Sequence, residues 1–111
     1  MLNLSAATRV FVALEPVDLR GSFNRLGALT QNLLAQDPLS GHLFVFTNRS
    51  ANRVKVLFWD GTGLWCCAKR LERGRFSWPI GEGRCVHWGT EQLSALLSGL
   101  EVKEKPGWYR R

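Results

Sequence analysis

Residues 42–69 read HLFVFTNRSANRVKVLFWDGTGLWCCAK, and the fold turns on how this stretch is read. In its first run Phe44 and Phe46 fall on one side of an extended chain, with Leu43 and Val45 on the other. In the next, Val54, Val56 and Phe58 oppose Lys55, Leu57 and Trp59. The polar run Asn48 to Arg53 predicts a hairpin loop between them. A second turn follows at Asp60-Gly61-Thr62-Gly63, where Asp-Gly supplies the positive φ that a tight hairpin needs. Leu64 to Lys69 then forms a third strand, and the whole stretch predicts an antiparallel meander.

Upstream, Arg9 to Leu14 is rich in β-branched and aromatic residues and predicts a short buried strand that Pro16 ends. Asp18 is placed to cap a helix over roughly Leu19 to Ala35. Ser22, Leu26, Leu29 and Leu33 share one face of it, with Phe23 and Thr30 beside them and Arg20 and Arg25 off centre. Asp37 to Gly41 is a turn cluster. Downstream of Pro79 the chain loosens, Arg84 to Trp88 adds a short edge strand, and Thr90 caps a helix carrying Leu93, Leu96, Leu97 and Leu100 that ends near Gly99. The fold class expected is α+β: an antiparallel meander of three to five strands, one helix packed on a face, and a short C-terminal helix at an edge or a dimer contact. Residues 1–100 form one domain in this reading, and residues 101–111 a flexible arm.

Size and composition bound the rest. At 111 residues, 45% of them apolar, the chain holds one core and is not disordered throughout. A net charge of +6 attracts polyanions and makes the attraction salt-dependent. Three cysteines, two of them adjacent, do not make a disulfide framework, and a reducing cytoplasm fits them. No signal peptide or membrane span is expected.

The charge is concentrated. Between Arg49 and Arg84 stand eight basic residues and three acidic ones, which is five of the net six positive charges. Phe58, Trp59, Trp65, Phe76 and Trp78 are interleaved with them. Aromatics alternating with arginine offer phosphate contacts beside stacking platforms, although aromatics within strands are more often core. Arg70, Arg73, Arg75 and Phe76 are expected on an exposed loop. Asp18, Asp60 and Glu72 are the only acids tempting as a two-metal set, and the first two already have cap and turn roles. Cys66, Cys67, Cys85 and His87 lack zinc-ligand spacing, and small buried thiols are the simpler reading. His42 and His87 have no nucleophile or carboxylate at a recognisable spacing, and Gly61/Gly63 is no phosphate loop. No catalytic residue, metal or cofactor is expected.

Four blocks, the longest of them distinctive, carry a family resemblance: Val17-Asp18-Leu19-Arg20-Gly21, Phe44-Val45-Phe46-Thr47-Asn48-Arg49, Lys55 through Gly63, and Lys69-Arg70-Leu71-Glu72-Arg73-Gly74-Arg75-Phe76-Ser77-Trp78-Pro79. Over about Val10 to Leu100 the chain resembles the small accessory proteins, called TnpB, of the bacterial insertion sequences numbered sixty-six. These are distinct from the RNA-guided nucleases of the same name. The resemblance implies a non-catalytic transposition helper whose partner is the transposase encoded by the same element. Cys66 and Cys67 depart from its pattern, where larger apolar or aromatic residues are usual, which argues further against a zinc role.

Two functions follow as expectations. In the first, Arg49, Arg53, Lys55, Lys69, Arg70, Arg73 and Arg75 bind element DNA or the transposase–DNA complex, mainly at phosphates because no base-reading element is visible. In the second, the protein is an interaction module without DNA affinity, with Trp59, Trp65, Phe76, Trp78, Trp108 and Tyr109 as anchors for the transposase or for a homodimer.

Overall fold

In a computed structural model, which describes residues 7–99, seven elements follow in the order β1 (Val10–Ala13), α1 (Phe23–Asn32), β2 (Leu43–Thr47), β3 (Arg53–Trp59), β4 (Leu64–Arg70), β5 (Cys85–Trp88) and α2 (Thr90–Leu97). The fold is α+β, as expected. The five strands form one sheet in the order β4-β3-β2-β1-β5. Its β2-β3-β4 half is the antiparallel meander, with Phe44 opposite Leu57 and Leu57 opposite Cys66. Strand β1 adds a feature that alternation could not show: it pairs parallel to β2, Phe11 beside Phe44, so α1 is a crossover and the sheet is mixed. Strand β5 closes the other edge, antiparallel to β1.

Alternation divides the core as the pattern requires. Phe11, Ala13, Phe44, Phe46 and Leu57 point to one face, where Leu19, Leu26 and Leu34 cover them. Val10, Val12, Leu43, Val45, Val54, Val56 and Phe58 point to the other. That second face is covered by Leu93 and Leu96 of α2 and by Phe76 from the segment after β4. Both faces are therefore closed, one by a helix and the other by a short helix and a strap of irregular chain.

The first helix begins four residues later than expected, and Asp18 does not cap it. The Asp18 carboxylate instead accepts from the Arg20 backbone N–H at 3.0 Å and from its guanidinium at 2.7–3.1 Å. A helix running from Leu19 would need the Leu19 and Gly21 carbonyls for its own ladder. Both are taken by the Lys55 ammonium from β3, at 2.7 and 2.8 Å, and Gly21 sits at φ +87°. Leu26 and Thr30 are buried as the stripe predicts, but Phe23 faces solvent. The helix stops at Asn32 and Ala35 turns left-handed at φ +55°. In α2, the cap is Gly89 rather than Thr90: its N–H donates to the Gln92 Oε1 at 2.8 Å.

Both meander turns are built by side chains. Asn48 Oδ1 accepts from the Asn52 and Arg53 amides, and its Nδ2 donates to Asn52 Oδ1. Asp60 Oδ1 accepts from the Thr62 N–H, the Thr62 hydroxyl and the Gly63 N–H, while its Oδ2 accepts from Trp65 Nε1. These donors, the Thr62 amide foremost, hold the Asp60 carboxyl well below the usual carboxylate range. A folded-state pKa below the unfolded one means stabilisation that is complete above the unfolded value and is lost as pH falls through the folded one. The Trp65 indole N–H resonance is accordingly expected to stay fixed from neutral pH through about pH 4, the ordinary aspartate midpoint. In Asp60→Asn it should be displaced already at neutral pH. A Trp65 titration centred near the ordinary midpoint would contradict this reading of the turn.

Candidate nucleic-acid interface

Where β3 begins and β4 ends, the sheet carries two arginines directly opposite each other, Arg53 and Arg70. With Lys55 and Leu57 they share the α1 side of the sheet by alternation, but α1 starts too late to cover that end. The result is an open groove of about 850 Å³ between the Pro16–Arg20 segment, the β2–β3 turn and the two strands. Six cations line it, Arg20, Arg49, Arg53, Lys55, Lys69 and Arg70, against the carboxylates of Asp18 and Glu72. Like charges facing each other across a strand pair are unfavourable by themselves, and an anion between them relieves the repulsion.

The cations are not equivalent. Lys55 is committed to the Leu19 and Gly21 carbonyls, so its expected role as a phosphate contact gives way to holding the groove wall. Lys69 donates to the Leu97 carbonyl at 2.6 Å, a cation at the C-terminal end of α2 where the helix dipole favours one. Arg20 is exposed and paired with Asp18 at 2.7 Å; its guanidinium keeps the Asp18 carboxyl well below its ordinary range, so that pair brings no net charge to the groove. Arg70 reaches Glu72 only at 3.4 Å, with both side chains mostly exposed, a pair worth little in water. Arg49, Arg53, Arg73 and Arg75 are exposed and, among the described residues, their guanidinium groups make no ion pair or hydrogen bond.

Arg73 and Arg75 lie outside the groove lining, on the strap that follows β4. The strap is tied at both ends to the β2–β3 turn: the Leu71 N–H donates to the Asn52 carbonyl at 2.8 Å and the Phe76 N–H to the Ala51 carbonyl at 2.7 Å. Gly74 makes the bend between them at φ +74°. Phe76 plugs the core at 3% exposure. Its expected place on an exposed loop is thus corrected, and so is its use as a partner anchor. Trp78 is half-buried beside the same cluster and spends its indole N–H on the Ala13 carbonyl at 2.8 Å, so it too is a structural residue rather than a free anchor. Burying Leu71 and Phe76 leaves the intervening arginines outside. Trp108 and Tyr109 lie outside the described residues.

Lys55→Met is expected to cost about 1.5 kcal/mol in urea unfolding. That is the low end for hydrogen bonds to a charged group, because one acceptor, at Gly21, is exposed. An unchanged midpoint would leave the groove wall without its tie.

The groups weighed for zinc are separated by the sheet order: Cys66 and Cys67 lie on edge strand β4, on opposite faces, and Cys85 and His87 on the opposite edge strand. Cys66 and Cys85 are half-buried, and burial pushes the Cys85 thiol up; Cys67 is exposed, against the expectation of a buried thiol. His42 accepts at Nδ1 from the Arg9 N–H at 3.0 Å, and His87 packs edge-on against Phe11. Among the described residues no helix is long and apolar enough to cross a membrane.

What the geometry defines is a small mixed-sheet α+β protein whose open cationic groove is made by two strand ends and two side-chain-built turns. Residues 8–106 match the family of IS66 Orf2-like proteins, and the chain belongs to that family. Its role is that of a transposition-associated accessory protein. Two proteins of Sinorhizobium fredii (strain NBRC 101917 / NGR234) are similar along nearly their whole length, both bearing the description uncharacterized protein. One, y4hO, is 43% identical over 110 residues, covering 99% of this chain and 96% of its own. The other, y4jC, is 38% identical over 109 residues, covering 96% and 93%. No solved structure matches.

Arg20 is the groove residue that sequence reasoning missed. Its signal was the Asp-x-Arg spacing of Asp18 and Arg20, which marks a local turn as readily as a helix start.

Proposed function

We propose that this accessory protein acts by holding DNA of its element, alone or with the transposase, in the groove at the β3–β4 end of the sheet. Arg49, Arg53 and Arg70 contact phosphates in this reading, and Arg73 and Arg75 extend the contact along the strap. The observation that carries it is the juxtaposed Arg53 and Arg70, two cations in register with only a long, exposed Glu72 contact between them and solvent. Among the described residues no helix projects from the groove for base reading, so in this reading the contact is with the backbone and sequence choice falls to the transposase.

A salt titration of binding to a fluorescent duplex carrying the element end tests it. The logarithm of the binding constant should fall linearly with the logarithm of salt, with a slope of about −0.9 per phosphate contacted. A complex with the transposase that is insensitive to salt, and no binding to DNA, would favour the interaction-module reading. That reading is weakened by the inward placement of Phe76 and Trp78, which it needs at the surface.

A further inference from the structure

Strand β4 ends the sheet, and among the described residues no strand pairs with its outer edge along its seven residues. The Asp60 N–H donates to the Gly63 carbonyl and the Leu71 N–H to that of Asn52, which sets the ladder's phase. Bonds to β3 therefore come from Trp65, Cys67 and Lys69, while the backbone groups of Leu64, Cys66, Ala68 and Arg70 point outward. Among the described residues no other backbone or side-chain group bonds to those outward positions. Two of the usual protections of an edge are missing here: the pairing runs without a bulge from Leu64 to Arg70 and there is no proline; the charges of Lys69 and Arg70 stand at one end only, and the middle is Cys66, Cys67 and Ala68. Edge strand β5, by contrast, is only four residues long.

We infer that the β4 edge is the self-association surface of this protein, pairing antiparallel with β4 of a second copy about a two-fold axis at Cys67. The occupant follows from the strand itself. Of the registers in which outward groups meet outward groups, the one centred on Cys67 alone pairs the full strand, with Leu64 against Arg70 and Cys66 against Ala68 of the other copy. It also matches charge. Lys69 of the second copy, whose ammonium donates one hydrogen to its own Leu97 carbonyl and keeps two, falls opposite Trp65, an indole 46% exposed, stacked on Phe58 and bonded to the Asp60 carboxylate. Each end of the strand pair thus sets a cation beside an aromatic face and an anion. No two like charges meet across the pair. The axis stands perpendicular to the sheet, so the two grooves open on the same side of one continuous sheet.

Two properties make the register testable in the full-length chain. Cys67 sits at a pair without hydrogen bonds, where Cα atoms approach to about 4.5 Å, within the span of a disulfide. Ala68 has an outward N–H, so a proline there leaves the bonds to β3 intact and blocks only the second copy. Light scattering is expected to give twice the chain mass for the wild type and the single mass for Ala68→Pro, with unchanged circular dichroism. Copper–phenanthroline oxidation should give a covalent dimer in a Cys66→Ser/Cys85→Ser variant and none in Cys67→Ser. A single-chain mass for the wild type would overturn the inference, whether the edge is bare, covered by the chain's own ends or kept for another protein. A dimer that persists in a folded Ala68→Pro would overturn it as well. Should Ala68→Pro not fold, the oxidation decides: a dimer that does not cross-link through Cys67 uses another surface.

Discussion

Replacing Arg53 and Arg70 together by alanine is expected to lower the affinity for duplex DNA on the order of a hundredfold at low salt, while the melting temperature stays level or rises slightly. The loss follows from two charge-assisted contacts, each worth about 1.5 kcal/mol or more when made to a phosphate. The salt slope should become shallower by about 0.9 for each contact removed. The stability result runs the other way because the two guanidiniums face each other across the β3–β4 pair, and relieving that repulsion gains up to about 1 kcal/mol. A pair of residues kept for packing would show the reverse, a lower melting temperature with binding preserved. Binding by anisotropy and unfolding by calorimetry on the same double variant separate the two.

Phe76→Ala is expected to have the largest effect on folding, a loss of about 3–5 kcal/mol. Small domains have only about 5–15 kcal/mol of stability to lose. Phe76 is buried in the cluster formed by Val54, Val56 and Phe58 with α2, and its N–H also ties the strap to the β2–β3 turn. Truncation opens a cavity and frees Arg73 and Arg75 from their place beside the groove. Urea unfolding of the variant measures the first effect. Arg75→Ala serves as its neighbour control, expected to unfold like the wild type because that side chain is exposed and unpaired. If Phe76→Ala unfolded like the wild type but failed to bind a partner, the ring would be a surface anchor and the core assignment would be wrong.

The meander was legible because alternation at Phe44, Phe46, Val54, Val56 and Leu57 is a backbone consequence: side chains two apart must share a face, and every one of these is buried. The parallel pairing of β1 was not. Four buried residues in a row carry no alternation to show direction, and the crossover that imposes it is a tertiary event. The early start assigned to α1 failed for a similar reason. The carbonyls of Leu19 and Gly21 are claimed by Lys55, thirty-odd residues away, and no local pattern near Asp18 announces it. For the groove, five of its six cations fall in the charge-dense run from Arg49 to Arg84, and cross-strand register decides which of them face one another. Arg53 and Arg70 face one another only once β3 and β4 are aligned, and Lys55 and Lys69 are drawn to carbonyls of Leu19, Gly21 and Leu97, all distant in sequence. In the strap, the aromatic and basic residues looked alike in sequence. Burial of Phe76 and exposure of its arginine neighbours separate them.

The central claim is that anions are received between the ends of β3 and β4. It is tested most directly by titrating a short duplex into nitrogen-15-labelled protein and following the arginine Nε–H resonances. Shifts at Arg49, Arg53 and Arg70, joined by Arg73 and Arg75 and absent from Arg9 and Arg84, which precede the far strands β1 and β5, are the predicted result. Shifts centred on Trp65 and Ile80 with the groove arginines unmoved, or no shift at any arginine at low salt, would contradict it.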